Sequence, residues 1–363
     1  MDKYYVQTIT RNYLKNILDV PLSFNVHERF LYGLDQEQFI EGFNVLVSLI
    51  KQLYSDIIKN PADFGMLLKE IDEDDSKNAD YTNSNSSFLR IPNLLVVLGA
   101  FSTLESDMSF TIDGDILSTE AKKLKISGVP FLLNKMRDYG FEISDFGKSP
   151  KPGDLITISY PDNRSLLIAL KAISVAHVEL NKGDIRNPKH RYFYMMHTGL
   201  LENDVIKEPK LTIDNVLHTL STAQRKQAMV LHEIAADITK QKIRMGGFMR
   251  NDWACIYTDY KSKKVLMTLH VDQSSFSAKL NLQHIGQYIS LISEMPNDII
   301  DTITGSGWEC GKCNPRCTGG FAFELDSKAY DKCHCGSFMF YHISDESVEY
   351  CKQLLLKEIE LRG

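Results

Sequence analysis

Apolar residues recur at helical spacing near the start of the chain. The stripe comprises Phe39, Phe43, Val45, Leu46, Leu53, Tyr54, Ile57 and Ile58. A repeat of about 3.6 residues places such positions on one face of a helix. Asp35 and Gln38 have the spacing of a capping box at its start. Residues 1 to about 70 are therefore predicted to be helical, and the stripe favours a core helix over a partner-binding one.

A polar and acidic stretch then interrupts the pattern. Residues 72–80 and 83–87 contain almost no apolar side chains. Segments of this composition bury too little apolar surface to offset the entropy that ordering costs. We predict a linker here, so that residues 1–87 form a helical region with an acidic linker at its end.

Residues 88–183 show a recognisable order of elements. Patterning and turn residues predict a helix from Pro92 to Leu104, a helix from Ser118 to Leu124, a helix capped by Ser127 with Pro130 in its first turn, strands over 141–144 and 155–159, and a helix from Ser165 to Leu180. Three helices followed by a two-stranded hairpin are typical of a winged helix. The last helix would pack behind this winged-helix-like module.

A winged helix suggests DNA as the partner. Lys135 and Arg137 would then enter the major groove, and Lys148 and Lys151 would contact phosphates from the wing. Residues 90–171, however, contain ten basic and ten acidic residues. Tight DNA binding requires a concentrated basic surface, so a module for packing or dimerisation is the alternative.

Residues 184–363 are predicted to form an α+β domain. Its elements are one or two amphipathic helices between Ile213 and Ile238, strands over 254–260, 265–271 and 276–282, helices from Ile285 and from Pro296, a cysteine-rich hairpin, a strand from Phe338 to Ile343, and a final helix to Ile359. The strands alternate apolar and polar residues. This pattern favours a mainly antiparallel sheet with one buried face.

Five of the seven cysteines lie within the hairpin region, at Cys310, Cys313, Cys317, Cys333 and Cys335. Two Cys pairs that converge across a hairpin give four sulfurs in tetrahedral geometry, which suits Zn²⁺. The preferred ligands are Cys310, Cys313, Cys333 and Cys335, and Cys317 could replace Cys313 or Cys335. Four protein ligands leave no open position, so the zinc would be structural. The alternatives are an iron–sulfur cluster, disulfides and free thiols.

Composition limits the compartment and the partners. The net charge of −6 provides no overall basic field for nucleic acid. Residues 1–5 lack the basic and apolar segments of a signal peptide, and the longest apolar run, 94–101, is too short to span a bilayer. We therefore expect a cytoplasmic protein without a membrane partner, in which Cys255 and Cys351 are buried, inert thiols.

The chain also resembles a family of uncharacterised bacterial proteins. The Trp253–Leu282 stretch is similar to the small α+β domains of the YdhG-like group. The turn at 159–163, the Cys-rich hairpin and the C-x-C before the last strand resemble the whole-chain order of that family over residues 90–360. The resemblance implies an architecture and no activity.

No sequence motif commits the chain to a reaction. The phosphate loop, the dinucleotide fingerprint, the nucleophile elbow and the HExxH zinc motif are all absent from the sequence. We therefore predict a non-enzymatic, zinc-containing binding or regulatory protein, with DNA binding in transcription regulation as its specific form. One alternative is an enzyme with a pocket for a small molecule near Trp253, Tyr257 and His270. The other is a structural or assembly module. The oligomeric state stays open.

Overall fold

The structure is a computed structural model. It describes residues 2–71, 78–147, 149–184, 191–245, 252–272, 274–306, 309–311, 320–333 and 338–362. Helix accounts for 49% and strand for 17%, and the sheets are antiparallel, so the predicted α+β class is confirmed. The chain divides into two compact units, Met1–Lys210 and Leu211–Gly363. The boundaries predicted after residues 87 and 183 both lie inside the first unit.

The first unit contains six helices and four short strands within the described residues. The helices are α1 (Tyr5–Asn16), α2 (Gln36–Lys59), α3 (Asn78–Phe101), α4 (Gly114–Lys123), α5 (Val129–Arg137) and α6 (Ser165–Leu180). The strands are β1 (Thr103–Leu104), β2 (Phe110–Asp113), β3 (Glu142–Ile143) and β4 (Leu155–Ser159), and they form an antiparallel sheet in the order β1-β2-β4-β3. Short 3-10 turns span Glu28–Phe30, Pro61–Phe64 and Thr198–Leu201.

Helix α6 is the centre of the first unit. It is apolar on almost every side, and ten of its sixteen residues are buried, which is typical of a helix surrounded by protein. It packs against both α2 and α3. Each crossing depends on a glycine, because a Cβ atom on Gly42 would lie 2.5 Å from the backbone of Ser165, and a Cβ atom on Gly99 would lie 2.6 Å from the carbonyl oxygen of Leu170.

A half-buried lysine links the end of α3 to α6. Lys171 Nζ donates to the carbonyl oxygen of Ser102 at 2.7 Å and to that of Gly99 at 3.4 Å. The last carbonyls of a helix lack partners within the helix and carry partial negative charge, so a cation stabilises them. Burial lowers the pKa of Lys171, and these carbonyl contacts offset part of the cost of burying the ammonium group.

The prediction for α2 is confirmed in detail. Asp35 is the N-cap, its side chain accepts a bond from the Gln38 N–H at 2.8 Å, and Gln38 completes the capping box. The face that carries Phe39, Phe43 and Leu46 is buried.

The prediction for α3 is wrong in two respects. The helix begins at Asn78, so residues 83–87 are helical rather than linker, and Pro92 lies inside the helix rather than at its start. Tertiary packing overrides the weak local preference for helix, because Ser84 and Phe88 are fully buried. Residues 72–77 of the predicted linker lie outside the described residues.

Two short helices begin at other residues than predicted. Asp113 rather than Ser118 starts α4, and its carboxylate accepts a bond from the Asp115 N–H at 2.7 Å. Gly128, with a φ of +71°, precedes α5. Ser127 does not cap that helix, since its carbonyl and hydroxyl oxygens instead accept bonds from Arg90 Nη1.

The second unit is built on a five-stranded antiparallel sheet. The strands are β5 (Thr239–Arg244), β6 (Asp252–Asp259), β7 (Val265–Asp272), β8 (Ser275–Leu280) and β11 (Phe338–Phe340), in the order β11-β8-β7-β6-β5, with β9 (Phe321–Leu325) and β10 (Lys328–Lys332) as a separate hairpin. The helices are α7 (Ile213–Leu217), α8 (Thr222–Ala236), α9 (Ile289–Ser293), α10 (Asn297–Gly305) and α11 (Asp345–Arg362). A 3-10 turn spans Ile285–Gln287. The sequence analysis missed β5, because it extended the helical pattern to Ile238, the residue before this strand.

One carboxylate joins α11 to the loop after β8. Glu358 is fully buried and accepts bonds from the backbone N–H groups of Gln283 and His284 at 3.1 and 3.0 Å. It also accepts from Tyr288 Oη at 3.0 Å and from Arg362 Nε at 2.9 Å. A buried charge is tolerated only when it is paired and hydrogen-bonded. The carboxylate therefore fixes the last turn of α11.

No helix in the described part of the chain combines the length and apolar character needed to cross a membrane.

The predicted thiol environments are confirmed, since Cys255 and Cys351 are free and buried. Burial raises the pKa of the Cys351 thiol to about 12.

The close packing at the helix crossings of α6 predicts that a glycine-to-alanine substitution there lowers the free energy of unfolding instead of raising it. Alanine normally stabilises a helix relative to glycine by up to about 1 kcal/mol. Gly99→Ala should instead lower the free energy of unfolding of the first unit by about 1–3 kcal/mol, because the new methyl group overpacks the contact with Ser174 and Leu170. Urea unfolding of the whole chain measures this change.

The matched control is Gly305→Ala, in a helix where the new methyl group would meet no atom within 4 Å. That change should be neutral or stabilising for the second unit. A stabilised Gly99→Ala variant would contradict the close packing of α3 on α6.

A half-buried histidine, His197, predicts that the first unit is less stable in acid. His197 Nδ1 accepts a bond from the Gly199 N–H at 3.1 Å, and burial lowers the pKa of His197 to about 4. In the unfolded chain the pKa of this histidine is about 6.5, so the unfolded chain binds the proton at a higher pH than the folded chain does. The neutral imidazole therefore contributes to the free energy of unfolding above pH 6.5. Up to about 3 kcal/mol of this contribution is lost as the pH falls towards 4.

Urea unfolding at several pH values between 7 and 4 measures this loss. In His197→Asn the amide oxygen can still accept the Gly199 N–H but does not titrate, so the decline should be shallower than in the wild type. Parallel curves for the two proteins would refute this assignment.

Candidate functional sites

Helices α4 and α5 and the β3–β4 loop meet on one side of the first unit. Residues 124–128 join the two helices, and residues 144–154 form the loop. The loop is fastened to α4, because the Gly114 N–H donates to the Asp154 carbonyl oxygen at 2.8 Å. The Lys151 N–H donates to the Asp154 carboxylate at 2.8 Å. Gly114 leaves room for the Lys151 backbone, which a side chain there would strike.

Two of the four predicted DNA-facing residues have structural contacts. Lys135 Nζ pairs with Asp138 at 3.0 Å and lies 5.1 Å from the centre of the Phe64 ring, with 25% of its side chain exposed. Arg137 donates to Asn134 Oδ1 at 2.9 Å and to the Ile143 carbonyl oxygen at 2.7 Å. These side chains hold α5 against neighbouring segments.

Other cations lie exposed around the same helices. Lys122 is in the last turn of α4, Lys125 follows it with a φ of +57°, and Lys151 is in the β3–β4 loop. Within the part of the chain that the structure describes, their side chains form no ion pair. Lys151 was predicted, and Lys148 lies outside the described residues. The sequence analysis counted Lys122 and Lys125 but did not assign them to the site.

One of these cations, Lys122, lines a groove between the helices and the loop. The groove has a volume of about 190 Å³ and is lined by Ser118 and Lys122 of α4, Pro130 of α5, and Ser149 and Pro150 of the loop. Asn134 and Phe131 of α5 are also exposed, and Phe131 lies next to Gly65. The arrangement presents amide, hydroxyl and ammonium groups along one surface.

The predicted pocket of the second unit is not assembled. Trp253 and Tyr257 lie on one face of β6, and both are almost fully buried. His270 pairs with Ala254 across β6 and β7. Because alternate residues of a strand face opposite sides, His270 lies on the other face of the sheet.

A buried polar contact lies on the inner face instead. His232 Nδ1 and Tyr257 Oη are 2.8 Å apart. Burial lowers the pKa of His232 and raises that of Tyr257. Both shifts favour the neutral forms, and the imidazole tautomer decides which of the two groups donates the hydrogen bond. Since Tyr257 is fully buried, this contact stabilises α8 on the sheet and has no access to a substrate.

The predicted hairpin forms and brings two of the candidate metal ligands near each other. Strands β9 and β10 pair through a tight turn at Asp326 and Ser327, which both have left-handed backbones. Glu309 pairs with Lys332, and the Cys310 N–H donates to the Asp331 carbonyl oxygen at 2.9 Å. Cys310 and Cys333 are thus diagonal neighbours, a relation that separates Cα atoms by about 7–8 Å.

Gly320 allows the chain to pass close to Cys310 and to the end of β10. A Cβ atom on Gly320 would lie 2.1 Å from the Lys332 carbonyl oxygen and 2.9 Å from the Cys310 Cβ atom. Cys313, Cys317 and Cys335 lie outside the described residues. Among the residues that are described, no group of three or more His, Cys, Asp or Glu side chains is placed to hold a metal ion.

Comparison with known proteins identified no relative of this chain. The chain matches no protein-family model, no curated protein and no solved structure.

Proposed function

We propose that the protein binds duplex DNA through a winged helix formed by residues 88–183. The supporting observation is the order α3-β2-α4-α5-β3-β4, in which β4 lies between β2 and β3 in the sheet. A winged helix has this order and this sheet, with α5 as the recognition helix and the β3–β4 loop as the wing. The sequence missed β2, which completes the pattern.

The DNA-facing surface that we propose differs from a surface chosen by charge alone. Lys122, Lys125 and Lys151 would contact phosphates, because they are exposed and unpaired within the described residues. Asn134 on the exposed side of α5 would reach base edges, since asparagine pairs with adenine in the major groove. Lys135 and Arg137 would position α5 rather than bind phosphate.

The charge of this surface sets the expected strength of binding. Each phosphate that a cation neutralises contributes about −0.9 to the slope of log affinity against log salt. Three cations correspond to a slope of about −3, well below that of a tight DNA-binding protein. We therefore propose a regulator that binds duplex DNA with modest affinity and a correspondingly modest dependence on salt.

We also propose that Zn²⁺ holds the cysteine hairpin of the second unit. Cys310 and Cys333 would be two of its ligands, and the remaining ligands would come from Cys313, Cys317 and Cys335. The diagonal placement of Cys310 and Cys333 supports this proposal. A site of four thiolates would be structural, and it suits the reducing cytoplasm.

The DNA-binding proposal predicts a specific loss. Combined Lys122→Glu, Lys125→Glu and Lys151→Glu should weaken binding to a duplex by about 100-fold at low salt, because three phosphate contacts become repulsive. Fluorescence anisotropy with a labelled duplex of mixed sequence measures this change.

The matched control reverses three other exposed lysines of the same unit, Lys182, Lys207 and Lys210. It should lower the affinity much less. Equal losses in both variants would show that only total charge matters, and no binding by the wild type would leave a packing or assembly module as the better account.

The zinc proposal predicts one zinc ion per chain in protein purified without added metal. Cys310→Ser and Cys333→Ser should each lose most of this zinc and lower the thermal stability of the second unit, whereas Cys255→Ala should keep the zinc. Mass spectrometry of the metal content, together with thermal melting before and after chelation, measures both effects. A wild type without metal, with all seven thiols titrating freely, would rule out the site.

A further inference from the structure

The second unit contains a small pocket beside the last turn of α11. It has a volume of about 190 Å³, and its apolar lining residues are Ile238 before β5, Leu266 of β7 and Ile359 of α11. Leu266 is fully buried, whereas Ile238 and the lining residue Tyr260 are exposed. The pocket therefore reaches from the surface to a buried strand. Pockets for drug-sized ligands measure about 300–1,000 Å³, so this pocket suits a smaller molecule.

Arg362 contributes a guanidinium group to the lining of this pocket. Its side chain is only 7% exposed. Nε donates to the Glu358 carboxylate at 2.9 Å, and Nη2 donates to the Asn281 carbonyl oxygen at 2.6 Å. Nη1 is buried and has no acceptor within the part of the chain that the structure describes. A buried donor without a partner is costly, so an acceptor on a ligand would stabilise this side chain.

Asp259, in the turn between β6 and β7, contributes a carboxylate to the same lining. It accepts bonds from the backbone N–H groups of Lys261 and Ser262 at 2.9 and 3.3 Å, and from the Ser262 hydroxyl. Burial would raise the pKa of Asp259, but these hydrogen bonds lower it below its usual value. The group is therefore ionised at neutral pH. A carboxylate offers about four acceptor positions, so one is left among the described residues for a donor on a ligand.

The charges at the pocket balance one another. The lining carries two cations, Arg362 and Lys261, and one carboxylate, Asp259. Glu358 supplies the second carboxylate, because it pairs with Arg362. A simple anion or cation would add a net charge to this partly apolar site, which is costly. A small molecule that carries one positive and one negative group keeps the balance and matches both Asp259 and Arg362.

We propose that this pocket binds a free amino acid with an apolar side chain. The carboxylate of the ligand would accept a hydrogen bond from Arg362, and its ammonium group would donate one to Asp259. The side chain of the ligand would contact Ile238, Leu266 and Ile359. This binding does not depend on the proposed binding of DNA or of zinc.

Equilibrium dialysis of the full chain against radiolabelled L-leucine tests the proposal. One molecule should bind per chain. Unlabelled L-aspartate and L-lysine should compete at least about tenfold less well than unlabelled L-leucine, because each brings an additional charge to apolar walls. No binding of L-leucine at millimolar concentration, or equal competition by all three amino acids, would overturn the proposal.

Two analogues test the charged groups of the ligand separately. N-acetyl-L-leucine lacks the ammonium group, and L-leucinamide lacks the carboxylate. Each should compete at least about tenfold less well than L-leucine, because each loses one charge-assisted hydrogen bond. An analogue that competes as well as L-leucine would overturn the pairing of both groups with the pocket.

A substitution that fills the pocket assigns the binding to this site. Ile359→Phe should weaken the binding of L-leucine by about tenfold or more, because the larger side chain occupies the pocket and leaves Arg362 and Glu358 in place. The matched control is Leu356→Phe, at an exposed position of α11 outside the lining, and it should bind as the wild type does. Equal affinities in the two variants would overturn the assignment.

Asp259→Asn provides an independent variant, since its amide oxygen can still accept a bond within the turn. It should bind L-leucine at least about tenfold less well and N-acetyl-L-leucine as the wild type does, because only the partner of the ammonium group changes. Thermal melting would establish that the fold survives. Unchanged binding of L-leucine would rule out Asp259 as the partner of the ammonium group and with it the proposal.

Discussion

The close packing of α6 between α2 and α3 is the constraint on which the first unit depends. An apolar helix must be covered on all sides, and the crossings at Gly42 and Gly99 allow two helices to approach its backbone. Lys171 then fixes the end of α3, from which the chain enters the small sheet. The strands and helices proposed as a winged helix are therefore built on this helical core.

The same packing explains why the N-terminal helices and the following module share one compact unit. The hydroxyl of Tyr139, just after α5, donates to the Asp56 carboxylate of α2 at 3.1 Å. Phe64, from the turn after α2, covers the ammonium group of Lys135. A linker that separated the two regions would expose these apolar surfaces, and the chain instead continues as helix from Asn78.

The sequence predicted the structure correctly where it depends on residues that are close together in the chain. The Asp35 cap, the Asp326–Ser327 turn and α6 all depend on residues that are close in sequence. The failures depend on partners distant in the chain. Burial of Ser84 and Phe88 turned a polar stretch into helix, and β2 and β5 required strands whose pairing the sequence does not specify.

The same distinction between local and long-range contacts applies to the candidate sites. The β9–β10 hairpin was predicted because it is a local structure, whereas the pairing of Glu309 with Lys332, which brings Cys310 near Cys333, was not. The contacts of Lys135 with Phe64 and of Arg137 with Ile143 could not be read from charge. Alternation within each strand was predicted, but only the register between β6 and β7 shows that His270 and Trp253 lie on opposite faces.

The net charge of the whole chain is a poor guide to the proposed DNA-binding surface. The chain has a net charge of −6, but Lys122, Lys125 and Lys151 around α4 and the β3–β4 loop are exposed. Binding of phosphates depends on the local field rather than on the net charge.

Amide hydrogen exchange of the intact protein, with and without saturating duplex DNA, tests the central claim most directly. The account predicts slower exchange in the last turn of α4, in residues 124–128, in α5 and in the loop at 149–154, with little change in α1 and α6. Binding of duplex DNA without protection of α4, α5 and this loop would contradict the winged-helix account.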